Sequence, residues 1–88
     1  MAAYRIELTR RARRSLSEEL PKEVAAACWE FITDVLADNP LRVGKALRDD
    51  LAGRYSARRG DFRVIYEIHD DRIVVRVIDV RHRRDVYR

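Results

Sequence analysis

Residues 54–80, RYSARRGDFRVIYEIHDDRIVVRVIDV, decide the fold. Phe62, Val64, Tyr66 and Ile68 alternate with Arg63 and Glu67, the period-two pattern of a strand with one buried and one open face. Tyr55 to Arg58 reads as a shorter strand before it, turned by Arg59-Gly60. After it, Asp70-Asp71 makes a tight turn into Ile73–Val80. That run is β-branched and nearly continuously apolar, as expected of a central strand.

Toward the N-terminus, residues 40–53 form a basic loop that Val43, Leu47 and Leu51 are placed to pin to the body. Before the loop, Asn39-Pro40 ends a helix that begins with Pro21 at its first position and runs to about Asp38. Val24, Cys28, Phe31 and Val35 give that helix its apolar face, widened by Ala27, Ile32 and Leu36. Glu30, Asp34 and Asp38 make an acidic stripe beside it. Cys28, in mid-face, reads as an inert core thiol, and Trp29 as a residue at the border of the core. Thr9 caps a shorter helix with Ala12 and Leu16 inward. Arg10 and Arg11 occupy its first turn, where the helix dipole disfavours cations. Tyr4, Ile6 and Leu8 alternate with Arg5 and Glu7 as a further half-buried strand. The order is β-α-α-β-β-β: one α+β domain over residues 1–88, an antiparallel-rich twisted sheet with an N-terminal helical hairpin packed on one face.

The 88 residues allow one small core and no second domain. Nothing approaches about 20 uninterrupted apolar residues, so no membrane span is expected, and Arg5 and Glu7 interrupt any secretory signal. A single cysteine excludes an internal disulfide and makes a reducing cytoplasm the default location. Of 19 basic residues 17 are arginine, the better residue for bidentate phosphate contact. The charge is blocked along the chain: +4 over residues 1–17, −5 over 18–41, +4 over 42–63, −2 over 64–80 and +3 over 81–88. A fold that gathers the basic blocks makes a positive patch suited to nucleic acid.

Two histidines and one core cysteine make no transition-metal cage, and Gly44, Gly53 and Gly60 form neither a P-loop nor a dinucleotide fingerprint. No cofactor is implied. Arginine, tyrosine and histidine around a basic surface suit metal-free chemistry on RNA phosphate, where the ribose 2′-OH attacks its own phosphate. The protein has only to align the 2′-oxygen, offset phosphoryl charge and move protons. His82 is the one side chain in a basic segment of a type that titrates near neutral pH.

Nearly the whole chain, through NPLRVGKALRDDLAGRYSARRGDFRVIYEI and the closing VIDVRHRRDVYR, resembles the RelE toxins of the RelE/ParE superfamily. The resemblance implies a bacterial toxin of a type II pair, inhibited by a co-encoded RelB-like antitoxin. It also implies an mRNA interferase that enters the ribosomal A site and cuts the codon there without metal. On this resemblance Arg63 matches the arginine that stabilises the transition-state phosphate, Arg83 a second phosphate-binding arginine, and Tyr87 the tyrosine that stacks on the nucleotide. Arg54 and Arg58 fall on the strand where family members place basic residues in the cleft. The best-known member carries lysines there, one of them assigned as general base, whereas this chain has Arg54 and Ser56. His82 is the preferred substitute, with Tyr87 or Glu67 as alternatives, or arginine electrostatics alone. Arg10, Arg11, Arg14, Lys45, Arg54, Arg58, Arg59 and Arg81 are the expected RNA and ribosome contacts. The competing functions are a ParE-like inhibitor of DNA gyrase and a catalytically weak antitoxin-binding or ribosome-binding protein.

Overall fold

The computed structural model describes residues 3–82. Arg83 and Tyr87 lie outside them. In chain order the elements are β1 (Arg5–Leu8), α1 (Arg10–Arg14), α2 (Lys22–Glu30), α3 (Pro40–Val43), β2 (Lys45–Ala46), β3 (Tyr55–Arg59), β4 (Phe62–His69) and β5 (Val74–His82). α1 continues as a wider π-type turn over Ser15–Glu19, and α2 does the same over Phe31–Leu36. The five strands lie in the order β1-β5-β4-β3-β2. β1 is parallel to β5 and every other pairing is antiparallel.

The expected order holds, with α3 and the two-residue β2 as additions that short, polar sequence did not announce. Pro21 is the residue preceding α2 rather than its first. Ile73 does not begin the last strand: its φ is 53°, in the left-handed region that penalises β-branched side chains, and it is 48% exposed. Its amide donates to the Asp70 carbonyl and closes the turn instead. Of the three residues expected to pin the basic loop, Val43 packs on the core and Leu47 is half-buried, but Leu51 is exposed on a 3₁₀ turn.

One face of the sheet carries the core. Ala57, Phe62, Val64, Tyr66, Val75, Val77 and Val80 pack against Ala12, Leu20, Cys28, Phe31, Ile32 and Leu36 from the helical layer. Burial pushes the Cys28 thiol up to about 12, which keeps it inert. No helix among the described residues is long and apolar enough to cross a membrane.

A bulge sets which residues of β5 face the core. Ile65 pairs with Asp79 and Tyr66 with Val77, so Ile78 has no opposite number on β4. The extra residue brings Val80 to the helical side together with Val75 and Val77, and turns Asp79 and Arg81 to the open side. Thr9 holds the bulge: its hydroxyl donates to the Ile78 carbonyl at 2.6 Å and accepts from the Ala12 amide at 3.1 Å. The N-cap of α1 is therefore also a staple on β5.

Tyr66 anchors the basic loop from within the core. Its hydroxyl donates to the Pro40 carbonyl, and its ring stacks on Tyr55 at 5.6 Å. Burial drives its phenol up to about 12, against an opposing hydrogen bond from Gly44. Folded chains thus hold the Cys28 and Tyr66 protons at pH values where unfolded chains release them, from about 9 and 10 upward. Stability is expected to be full below pH 9 and to fall steadily between pH 9 and 12. Urea titrations across that range check this, and Tyr66→Phe should flatten the part above pH 10.

Candidate functional site

Antiparallel pairing places side chains of opposite residues on the same face, and the register of β3, β4 and β5 aligns Arg58 with Arg63 and Arg63 with Arg81. Three arginines therefore stand in one row across the open face, on strands about 4.8 Å apart. Like charges directly opposite destabilise a sheet, so this row is set against stability. Arg63, in the middle, carries the clearest mark of that conflict. Its Nε is buried and has no hydrogen-bond partner among the described residues, a state that costs about 1–3 kcal/mol until an acceptor arrives.

The adjoining row runs Lys45, Ser56, Ile65, Asp79. Asp79 is only 6% exposed and accepts a hydrogen bond from Arg81 Nε at 2.9 Å. Arg11, from α1, approaches the same carboxylate oxygen at 3.2 Å. Arg11 thus belongs to the open face, as do Arg58, Arg63, Arg81 and Lys45. Sequence reasoning missed Asp79, although an acid inside the apolar run of β5 was the available signal. Farther along the face Glu67 lies 3.6 Å from Arg54 and 3.0 Å from His69.

Other expected contacts sit elsewhere. Arg59 pairs with Phe62 on the helical side and its guanidinium lies 5.2 Å from the Phe31 ring centre, a cation–π contact. Arg14 pairs with Glu18 on the exposed surface of the first helix, and Arg10 is exposed in its first turn. His82 pairs with Phe62 and by strand alternation belongs to the helix-covered side, so the register separates it from Arg63. Arg83 and Tyr87 are outside the described residues. A groove lies away from the arginine row, between α2 and the β3–β4 turn. Val24, Phe31 and Phe62 floor it, with Glu23, Glu30 and Asp34 along its rim. That rim repels phosphate.

The open face can thus grip an anion and stabilise charge that grows on it. Glu67, expected as an alternative base, is separated from Arg63 by four residues along β4, roughly 13 Å, and Arg54 and His69 already engage it.

A model of the family described as ParE toxin of type II toxin-antitoxin system, parDE, matches residues 6–87. Over 85 residues the chain is 47% identical to Toxin RelE of Mycobacterium tuberculosis, covering 97% of this chain and 87% of that protein. It is also 47% identical to Toxin RelG of the same organism, with 97% of each covered. The crystal structure of the toxin–antitoxin complex RelBE2 from M. tuberculosis matches with a TM-score of 0.90 at 45% identity, over 93% of this chain and 100% of that one.

Proposed function

The chain belongs to the ParE toxin family of type II toxin–antitoxin systems, within the RelE/ParE superfamily, and from that premise we propose that it is a ribosome-dependent mRNA endonuclease. The observation that carries the reading is the row Arg58, Arg63, Arg81, with the buried Nε of Arg63, which has no hydrogen-bond partner among the described residues, at its centre.

The 2′-OH of the ribose attacks the adjacent phosphorus and gives its proton to solvent, while the 5′-oxygen of the next nucleotide leaves and takes a proton from solvent, so that a 2′,3′-cyclic phosphate and a 5′-OH result. Charge builds on the non-bridging oxygens, where preorganised guanidinium donors act most strongly. Arg63 supplies the central contact and Arg58 flanks it. By the family's pattern, Arg83 adds a second phosphate contact and Tyr87 stacks on the base. With His82 on the other side of the sheet and Glu67 distant, the rate rests mainly on alignment and electrostatics. The partner is a co-encoded RelB-like antitoxin, and the complexes of relatives with their antitoxins support it.

Adding the purified protein to in-vitro translation should produce codon-positioned cuts whose 3′ ends carry a 2′,3′-cyclic phosphate. Ends with a free 3′-OH would refute the 2′-OH route, and intact message during arrest would refute the nuclease reading. A second reading, inhibition of DNA gyrase, draws on the ParE name of the matching family model. Supercoiling inhibition without RNA cleavage would favour it.

A further inference from the structure

We propose that Arg11, Asp79 and Arg81 form a second anion subsite, beside the Arg58–Arg63 position, that takes the neighbouring phosphate of the same RNA strand, with Asp79 as its positioning residue. The proposal rests on the nuclease reading for its ligand, and on its own geometry for the site.

Burial within the cluster is graded. The Asp79 side chain is 8% exposed, whereas those of Arg81 and Arg11 are 52% and 71% exposed. A carboxylate is thus held inward with two guanidiniums reaching outward over it. Both arginines meet the same oxygen, Oδ2, and both do so through Nε, at 2.9 and 3.2 Å. Arg81 therefore spends its inner donor on a hydrogen bond to Asp79 and Arg11 turns the same donor toward it, so the terminal amino groups are the donors left to a ligand. An arginine presenting that edge is arranged for bidentate phosphate contact. Three backbone devices converge to hold the cluster. The β5 bulge turns Asp79 and Arg81 outward, the Thr9 staple fixes α1 to the bulge, and α1 delivers Arg11. Arg81 is also the end member of the arginine row, so the subsite adjoins the reacting phosphate. One anion beyond the reacting phosphate means that a strand is held on both sides of a step in its backbone, which aligns the 2′-oxygen better than a single grip.

The test exploits a sign. Asp79→Asn removes a negative charge, so long-range electrostatics alone predicts tighter binding to RNA. Loss of the positioning carboxylate predicts weaker binding. Affinity of the full chain is measured, over a range of salt, for a short single-stranded RNA blocked against cleavage by 2′-O-methyl groups. Arg11→Ala and Arg81→Ala are each expected to reduce the salt slope by about 0.7, one phosphate contact. Asp79→Asn is expected to weaken binding roughly 10-fold, the scale of a charge-assisted hydrogen bond. In its background Arg11→Ala should add little further loss. Asp79→Asn binding as tightly as the parent or tighter, or an unchanged slope in Arg11→Ala, overturns the subsite. Should Asp79→Asn fail to fold, Arg11→Ala still decides, because Arg11 is exposed. Failure of cleavage with these slope changes intact would remove the nuclease reading and leave the anion subsite standing.

Discussion

Arg63→Ala is expected to lower the rate of message cleavage by about 10²- to 10³-fold, the range seen when a preorganised donor to a developing oxyanion is removed. The same substitution is expected to leave folding stability unchanged or raise it. The side chain forfeits no hydrogen bond at Nε to any described residue, and its removal relieves repulsion from Arg58 and Arg81 on either side. An increase of even 1 kcal/mol raises the melting temperature by about 4–8 °C in a domain of this size. Cleavage measured by primer extension and melting measured by circular dichroism should therefore move in opposite directions, or the second not at all. A variant that melts several degrees lower would make Arg63 a structural residue and remove the basis for the site.

Gly44→Ala should have the largest effect on stability of any conservative change near the basic loop. A Cβ at this position would meet the Tyr66 hydroxyl in direct collision, the Ser56 carbonyl at 2.9 Å and Tyr66 Cζ at 3.0 Å. None of these neighbours yields easily. Ser56 is fixed in the β3–β4 ladder, and the Tyr66 ring is fully buried and stacked on Tyr55. Overpacking of this kind costs about 1–3 kcal/mol, and displacing the hydroxyl from the Pro40 carbonyl adds about 1 kcal/mol. The melting temperature should fall by roughly 10–20 °C. The double change Gly44→Ala with Tyr66→Phe should recover part of the loss, because the colliding oxygen is gone. Strict additivity of the two would show that the contact is not the cause.

How far these features could be read from sequence depends on whether local or long-range pairing creates them. The alternation of Phe62, Val64, Tyr66 and Ile68 survives intact in β4 because a half-buried strand needs nothing else to define its faces. The Thr9 cap is equally local. The parallel docking of β1 on β5 joins residues nearly 70 positions apart and leaves no trace in periodicity. The unpaired Ile78 is similarly hidden, since β-branched residues fill β5 on both sides of it. That one-residue offset decides the site. Uninterrupted alternation outward from Val77 would turn His82 to the open face and Arg81 inward. With the bulge the arginine takes the open face and the histidine does not. The family resemblance put Arg54 and Arg58 on one strand, but β3 begins at Tyr55, and the structure shows Arg54, just before it, engaged by Glu67 and Arg58 standing in the arginine row.

The place of β5 in the sheet also has a bearing on synthesis. β5, an interior strand between β1 and β4 rather than the centre of the sheet as its apolar run suggested, is made after every other described element, and β1, the earliest, has no partner strand until it arrives. A nascent chain halted between His69 and Val74 has Arg63 on β4 with no β5 beside it and lacks Asp79 and Arg81 altogether. Such distant pairing makes folding slow and late. A protein built in this order completes its arginine row, with Arg81 beside Arg63, only once β5 has been made.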